Sequence, residues 1–272
     1  MADRRRMQTL PGGVSKRLEL WRRGLRLRLE RGVVERFERV TGGGILYDAS
    51  RLRKPAAELF EPGYWQAQGS LREIAGGRAS VAIVTAGEER WVLRHYRRGG
   101  FVARFSRDRY LWLGEARTRS FAEWRLLAEL RRRGLPVPAP IAARYVRGVL
   151  TYRADLITEH LPDSRTLADA ITGAQLPREQ WLAIGRTIAA FHREGVHHAD
   201  LNAHNIMLEH AVAPRVYLLD FDRGRIEARG AWEQGVLARL RRSLEKIRSQ
   251  RRDVAFADEQ WGWLMAGYAL RP

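Results

Sequence analysis

The chain contains no cysteine among its 272 residues. This absence excludes disulfide bonds, thiolate zinc sites and a cysteine nucleophile, and it suits a reducing compartment. No apolar run approaches the roughly eighteen residues that a transmembrane helix needs, and the first residues lack the apolar core of a secretory signal peptide. The sequence therefore predicts a cytoplasmic protein with no membrane-spanning helix.

Lysine is also scarce. Lys16, Lys54 and Lys246 are the only lysines, and the other 46 of the 49 basic residues are arginine. A GC-rich genome explains the choice of arginine over lysine, but it does not explain a net charge of +18 and a pI of about 11.2. Such an excess predicts attraction to a polyanion, which is a nucleic acid, an acidic lipid surface or a phosphorylated substrate.

Composition and patterning divide the chain into three parts. Residues 1–40 carry 12 basic and 5 acidic side chains, which predicts a basic leader that is either disordered or an amphipathic helix on an anionic bilayer. Residues 41–158 are predicted as a β-rich lobe with one helix, and residues 159–272 as a mainly helical lobe. Gly42–Gly44 and Pro55–Gly63 are predicted to be connecting segments.

Hydrophobic periodicity predicts the main elements of both lobes. Glycines in the segment 74–80 predict a turn between strands, and two adjacent glycines permit backbone N–H groups to approach phosphate oxygens. The predicted strands are 81–84, 91–96, 150–158, 206–208 and 216–219, and the predicted helices are 120–133, a segment around 181–194, and a tail from Ala231.

One constellation carries the chemistry. The segment His198-Ala-Asp200-Leu-Asn-Ala-His-Asn205 is followed by Asp220-Phe-Asp222 at the end of an apolar run. Phosphoryl transfer from ATP needs one carboxylate to orient and deprotonate the acceptor hydroxyl, and two oxygen ligands for Mg²⁺. Asp200 is the candidate for the first role, and Asn205 and Asp220 are the candidates for the second. His198 is expected to brace the loop through backbone hydrogen bonds.

Two other interpretations compete with this one. A surface loop followed by an ordinary hairpin would use the same polar residues as caps and turns. A histidine metal site is the second, because five histidines lie close together in the sequence, although their spacings match no common zinc pattern. They are His192, His197, His198, His204 and His210.

The chain resembles the protein-kinase-like superfamily and, more closely, the bacterial 3-deoxy-D-manno-octulosonic acid (Kdo) kinases of the lipopolysaccharide core kinase family. The resemblance covers roughly residues 65–230, and the string Leu-Arg-His-Tyr-Arg-Arg-Gly-Gly ending at Gly100 is its most family-specific part. The segments that carry it are 91–100, 120–124, 134–138, 198–206 and 219–222.

The resemblance implies an α+β fold with two lobes, a β-rich N-lobe and a trimmed helical C-lobe, and it implies ATP and Mg²⁺ as cofactors. It makes Asp200 the catalytic base and Asn205 and Asp220 the Mg²⁺ ligands. Gly76 and Gly77 then match the loop that covers the phosphates. Glu123 matches the helix glutamate that pairs with the strand residue holding the α- and β-phosphates.

Three departures from the superfamily pattern bear on the site. The strand residue that is usually lysine is Arg94 here, which offers a permanent charge and a bidentate fork. Glu123 has a second possible role, because Ser120 three positions earlier forms a capping-box pattern. Asp222 replaces the usual glycine, as a second metal-site residue or a turn former.

The acceptor is expected to be small or lipid-linked. Only 52 residues follow Asp220, too few for the peptide platform of a protein kinase, and Asn202 stands where Ser/Thr kinases have lysine. The resemblance points to the Kdo sugar on a lipid A precursor, at the cytoplasmic face of the inner membrane. The arginines available to contact an anionic membrane surface are Arg97, Arg98, Arg104, Arg107, Arg109 and Arg131–Arg133.

Three alternatives stay open from the sequence. A heptose kinase uses the same machinery with another acceptor, and a small-molecule phosphotransferase such as an antibiotic kinase would not associate with membranes. A non-catalytic RNA-binding module would explain the charge, but no recognition motif for nucleic acid is present. The sequence implies neither a nucleic-acid partner nor a protein partner.

Overall fold

The computed structural model describes residues 32–75, 81–97, 108–173, 175–210 and 214–270, except the side chains of 73–75. Residues 34–272 form one compact unit. Its strands are β1 (Glu35–Val40), β2 (Gly43–Asp48), β3 (Leu71–Ala75), β4 (Val81–Ala86), β5 (Glu89–His95), β6 (Tyr110–Leu111), β7 (Pro140–Arg147), β8 (Thr151–Glu159), β9 (Ser164–Thr166), β10 (Val196–His197), β11 (Ile206–Glu209), β12 (Val216–Leu218) and β13 (Arg225–Ile226). Its α-helices are α1 (Pro62–Ala67), α2 (Arg119–Arg132), α3 (Leu167–Ala170), α4 (Arg178–Arg193), α5 (Trp232–Gln250) and α6 (Asp258–Ala269).

An antiparallel sheet organises the first lobe. Its strand order is β1-β2-β7-β8-β5-β4-β3, and β6 pairs with β8 at one end. Helix α2 packs against β7 and β8 because the apolar residues predicted for its inner face, among them Phe121, Trp124 and Leu130, are buried. Gly134 ends this helix region in a left-handed conformation, as its sequence predicts.

The opposite face of the sheet has its own core. Phe60, Trp65, Trp91 and Leu93 are buried there together. The segment predicted as a connection around Pro55–Gly63 supplies part of this cover, since residues Ala57–Phe60 form a 3₁₀ helix and α1 begins at Pro62. That prediction was wrong because a short helix held by two aromatic anchors has too few residues to show a period.

The prediction of Gly42–Gly44 as a connection is also wrong for its second half. Gly43 and Gly44 lie in β2 between β1 and β7. A Cβ atom on Gly43 would lie 2.0 Å from the carbonyl oxygen of Tyr145, and one on Gly44 would lie 2.5 Å from the Phe37 ring. These glycines permit close strand packing rather than a turn.

Strand β1 also brings residues 35–40, predicted as the end of the leader, into the sheet through its pairing with β2. The rest of the leader, residues 1–31, lies outside the described part of the chain. The boundary predicted at residue 158 between the lobes falls one residue before the end of β8. The three-part division itself stays a prediction.

Helices and two small sheets form the second lobe. Helices α4 and α6 make the most extensive helix contact, and Trp181, Ile184, Ile188 and Phe191 line the predicted apolar face of α4. Strands β11 and β12 form the predicted hairpin, with Ile206 opposite Leu218. None of the helices described is both long enough and apolar enough to cross a membrane.

Candidate active site

Arg94 lies at the centre of the candidate site. It stands on β5, and its guanidinium group forms ion pairs with Glu123 of α2 and with Asp220, which follows β12. The same group donates a hydrogen bond of 3.0 Å to the Tyr96 hydroxyl and lies 4.6 Å from the centre of the Tyr96 ring. One cation thereby connects the sheet, the helix and the Asp-Phe-Asp segment.

Glu123 is buried and fully engaged. Its Oε2 accepts hydrogen bonds from Arg94 and from the Tyr96 hydroxyl, and its Oε1 accepts one of 3.0 Å from the backbone N–H of Phe221. Ser120 donates instead to the carbonyl of Arg144 at 2.9 Å, so the capping box does not form. Of the two roles open from the sequence, the structure contains the ion pair.

Burial dominates the electrostatics of this cluster. It raises the pKa of the Glu123 carboxyl, while the nearby charge of Arg94 opposes the rise. Burial alone would lower the pKa of Arg94, but Glu123, Tyr96 and Asp220 outweigh it and hold that pKa well above its ordinary value. Arg94 therefore stays charged, and loss of its guanidinium group would leave the buried Glu123 carboxylate without its cation.

Asp220 adopts an unusual backbone conformation. Its φ of 60° lies in the left-handed region, which costs a non-glycine residue about 1 kcal/mol or more. The next residue secures this turn, because Phe221 is buried with its ring stacked 5.7 Å from Phe191 and 4.7 Å from His198. Burying Phe221 while Asp220 faces Arg94 is what forces the reversal of the chain.

His198 braces the loop that carries Asp200 through hydrogen bonds to the backbone, as the sequence predicts. Its Nε2 lies 2.8 Å from the carbonyl oxygen of Leu219, and its Nδ1 accepts a hydrogen bond of 3.2 Å from the backbone N–H of Asp200. These partners assign the proton to Nε2. Burial lowers the pKa of the ring, so His198 is neutral at pH 7 and acts as a positioning residue between the loop and the end of β12.

The β11–β12 hairpin brings the two predicted oxygen ligands to one edge. The backbone N–H of Leu219, the residue before Asp220, donates 2.9 Å to the carbonyl oxygen of Asn205. The Asn205 side-chain NH₂ donates 2.9 Å to the carbonyl oxygen of Asp200. Its Oδ1 accepts no hydrogen bond from the described residues, so the amide oxygen is available, whereas the Asp220 carboxylate is paired with Arg94; both are donor types that suit Mg²⁺.

The sequence did not predict the partner of Asp200. Arg239 on α5 binds Oδ1 of Asp200 with Nη2 at 2.5 Å and Nε at 2.7 Å. Ser243 lies on the same helix, and its hydroxyl accepts a hydrogen bond of 3.2 Å from the backbone N–H of Ala203. Helix α5 thus supports the catalytic loop, and no local motif signals it because 39 residues separate the two members of the pair.

The other candidates have different outcomes. Gly76 and Gly77 lie outside the described residues, between the paired strands β3 and β4. Asp222 forms a two-armed ion pair with Arg119 at the start of α2, with Nε 2.7 Å from Oδ1. That contact ties the segment to α2, and it is a role that the sequence analysis did not foresee.

The histidine metal site has no support in the part of the chain that the structure describes. No group of three or more His, Asp or Glu residues there has metal-binding geometry. His192 contacts the Tyr268 hydroxyl at 2.8 Å, and His197 contacts Glu227 at 2.6 Å. These histidines serve as local hydrogen-bonding groups in the second lobe.

The arginines Arg131–Arg133, expected at a membrane surface, have partners within the protein. Arg131 donates to the carbonyl of Val137 at 3.2 Å, and Arg132 and Arg133 both pair with Glu129. Arg97 and Arg109 are exposed. Arg98, Arg104 and Arg107 lie outside the described residues.

Comparison with known proteins identifies the family of this site. The model of the lipopolysaccharide kinase (Kdo/WaaP) family matches residues 63–268. A curated protein of Xylella fastidiosa named 3-deoxy-D-manno-octulosonic acid kinase is 47% identical over 219 residues, 79% of this chain and 86% of the relative. One of the same name from Xanthomonas campestris pv. campestris is 50% identical over 213 residues, 77% and 83% of the two chains.

The fold agrees with that match. A solved structure of WaaP in complex with acyl carrier protein aligns with a TM-score of 0.51 at 18% identity, over 80% of this chain and 88% of that one. The expected two-lobed kinase-like α+β fold is confirmed. With its sequence match, its fold and its catalytic-loop geometry taken together, the chain belongs to the lipopolysaccharide kinase (Kdo/WaaP) family.

Proposed function

We propose that this protein transfers the γ-phosphate of ATP to a hydroxyl of the Kdo sugar on a lipid A precursor, in lipopolysaccharide core biosynthesis. Its membership of the family and the name shared by its curated relatives support kinase activity and the Kdo acceptor. The match extends over the whole candidate site, because residues 63–268 include every described residue that the mechanism uses.

The observation that carries the proposal is the convergence of Asp200, Asn205 and Asp220 at one edge of the β11–β12 hairpin. Asp200 orients the acceptor hydroxyl and takes its proton as the oxygen attacks the γ-phosphorus, while the bond from that phosphorus to the β,γ-bridging oxygen breaks and ADP leaves. Mg²⁺, held by Asn205 and Asp220, would neutralise charge on the phosphate oxygens. His198 and Arg239 keep the loop and the Asp200 carboxylate in position.

Arg94 takes the place of the usual lysine on the phosphates. Its guanidinium group stays charged, and Glu123 fixes its direction through a buried ion pair. A planar fork can bind two phosphate oxygens at once, whereas an ammonium group acts as a single point charge. Nucleotide binding would move Arg94 from Asp220 to the phosphates and release that carboxylate for the metal ion.

We also propose that the protein works as a peripheral protein at the cytoplasmic face of the inner membrane. The net charge of +18 supports attraction to anionic lipid, and a lipid-linked acceptor requires access to the bilayer. The sequence implies no protein partner, but the solved structure of WaaP is a complex with acyl carrier protein, which favours a protein partner instead.

An acceptor panel tests the function. Purified protein is incubated with γ-labelled ATP and Mg²⁺ and with one of three acceptors: Kdo-linked lipid A precursor, a heptose-containing core, or an aminoglycoside. The proposal expects label on the Kdo-containing acceptor, lost when EDTA removes the metal ion. If the heptose core or the aminoglycoside were labelled in preference, Kdo would not be the acceptor.

A further inference from the structure

Four apolar side chains stand out at one end of the main sheet. Among the large apolar residues that the structure describes, Val149 (90% exposed), Leu150 (72%), Leu111 (61%) and Leu113 (61%) are the most exposed. They are neighbours, because Leu111 pairs with Thr151 and the backbone N–H of Trp112 donates 3.0 Å to the carbonyl of Leu150. We call these four residues the apolar edge.

A packed base holds the apolar edge in place. The ring of Trp112 lies 5.1 Å from that of Tyr145 and 6.0 Å from that of Tyr152. Tyr145 and Tyr152 are buried. Because the aromatic groups face inward, Leu111 and Leu113 on either side of Trp112 face outward. The exposed leucines are thus fixed by the fold and are not the ends of a loose loop.

Arginines surround the base of the same hairpin. Arg109, Arg147 and Arg153 line a pocket of about 80 Å³ there. Arg147 lies over the Trp112 ring at 4.9 Å, and within the described residues neither Arg147 nor Arg153 has a carboxylate partner. Acidic residues close by have other partners: Glu115 is engaged by the Tyr145 hydroxyl at 2.6 Å and by Arg39 at 3.5 Å, and Asp108, the residue before Arg109, lies 3.5 Å from His95.

Apolar side chains beyond a ring of arginines match the cross-section of an anionic bilayer, in which acyl chains lie below phosphate groups. We propose that the apolar edge inserts into the interface of an anionic membrane and that Arg109, Arg147 and Arg153 bind its lipid phosphates. A second copy of the chain fits this surface poorly, because the two arginine rings would repel each other in a protein of net charge +18.

The proposed orientation also suits the acceptor, and in this respect it rests on the proposed function. Thr151, beside the apolar edge, and Leu156, which pairs with Arg94, are both on β8. Five residues of strand span about 17 Å. The phosphate-binding arginine would therefore stand roughly one sugar chain above the bilayer surface, where the head group of a glycolipid extends.

The absence of native cysteine permits a direct test. Leu150→Cys carries a single environment-sensitive fluorophore, and Leu270→Cys, at a half-exposed site after α6, is the matched control. With vesicles of phosphatidylglycerol and phosphatidylethanolamine, the fluorophore at 150 should shift to the blue and become protected from an aqueous quencher. With phosphatidylcholine alone it should not, and the fluorophore at 270 should respond to neither.

Sedimentation with the same vesicles gives the affinity. Val149→Asp combined with Leu150→Asp should weaken binding about tenfold or more, because two apolar groups leave the interface and two negative charges enter it. Leu270→Asp should bind like the unaltered chain. Arg147→Gln combined with Arg153→Gln should bind anionic vesicles several-fold more weakly while melting at the same temperature.

The result that would overturn the inference is equal vesicle binding by the Val149/Leu150 variant and the unaltered chain, or a response at 150 to an acidic protein but not to vesicles. The outcome is independent of the proposed phosphate transfer, because these vesicles contain no acceptor. Failure of phosphate transfer to acceptor dispersed in detergent would count against the function and leave the membrane surface intact.

Discussion

At the scale of single residues, Arg94 is the feature that most distinguishes this site. A guanidinium group reaches Glu123, Asp220 and Tyr96 together, with Nη1 on Asp220 and Nη2 on Glu123 and Tyr96, whereas the ammonium group of lysine is a compact point charge and has no second nitrogen for the second carboxylate. The replacement of lysine by arginine could be read from the sequence. Its partnership with Asp220 could not, because it depends on the left-handed turn at that residue.

We therefore expect Arg94→Lys to impair the enzyme rather than restore a better one. Loss of one charged hydrogen bond is worth about 1.5–3 kcal/mol, which corresponds to a fall of roughly ten- to a hundredfold in kcat/KM. Steady-state kinetics with varied ATP measure it. Arg90→Lys, at an exposed position on the same strand, is the control, and an Arg94→Lys enzyme as active as the unaltered one would contradict the assigned role.

Arg239 is a second residue-scale contact, and it is about half exposed together with Asp200. An ion pair this exposed contributes little to stability, but it directs the oxygen that must meet the acceptor. Arg239→Ala should lower kcat about tenfold with the KM for ATP unchanged. Its unfolding free energy should stay the same.

Two further variants make that prediction specific. Arg239→Lys should recover part of the activity because it keeps the charge, and Arg242→Ala, an exposed arginine on the same helix, should have no effect. If Arg239→Ala lowered the free energy of unfolding by as much as it raised the activation free energy of transfer, Arg239 would be only structural.

His192 makes stability depend on pH. Burial lowers its pKa from 6.5 to about 4, so between these values the unfolded chain binds a proton that the folded chain does not. Stability is then lost as the pH falls below 6.5, by about 2 kcal/mol between pH 7 and pH 5 from this residue alone. Urea unfolding at both pH values measures the fall.

His192→Gln should remove that share of the pH dependence, because glutamine does not titrate. His95 has the opposite effect on the pH dependence of stability, since its hydrogen bond to Asp155 raises its pKa. This residue is the same in the unaltered chain and in His192→Gln. An identical loss of stability in the two proteins on acidification would contradict the role of burial at His192.

At the scale of elements, close contact between α4 and α6 depends on two glycines. A Cβ atom on Gly267 would lie 2.2 Å from the carbonyl oxygen of Leu182, and one on Gly185 would lie 2.0 Å from that of Leu264. These contacts bring the backbones together in the core of the second lobe. The sequence predicts both helices by period, but it cannot indicate which glycines lie against a neighbouring backbone.

Gly267→Ala should destabilise the protein by about 1–3 kcal/mol, because the helices must separate to admit a methyl group. Gly262 lies on the same helix with nothing within 4 Å of its added Cβ, so Gly262→Ala should be neutral or stabilise by up to about 1 kcal/mol. Chemical denaturation of both variants measures the difference. Equal effects would mean that the two helices are not in such close contact.

The elements that could be predicted are those with local signals, whereas several strands, including the central strand β7, were not predicted. Helix α2 has four apolar residues at helical spacing, and the strands around the hairpin at residues 86–89 alternate as expected. Strand β2 and helix α1 were not predicted, each for a different reason. Two glycines in β2 look like a turn, and α1 has only six residues, which is too few for a period to emerge.

At the scale of the whole molecule, the two lobes were predicted through the resemblance to the protein-kinase-like superfamily, which the motifs carry in their order along the chain. A strand with Arg94, a helix with Glu123, a loop with Asp200 and Asn205 and a strand ending at Asp220 can meet around one nucleotide only if the sheet faces the helical lobe. The contribution of α5 to the loop could not be predicted, since it arises from a contact between Arg239 and Asp200, which are far apart in the sequence.

The central claim is that Asp200 receives the proton of the acceptor hydroxyl. Its most direct test is the rate of γ-phosphate transfer to Kdo-linked lipid A precursor in a single turnover, for the unaltered chain, for Asp200→Asn and for the exposed control Asp253→Asn. The account predicts a fall of about 10²–10⁴ for Asp200→Asn and none for the control. Transfer by Asp200→Asn at the unaltered rate would contradict it.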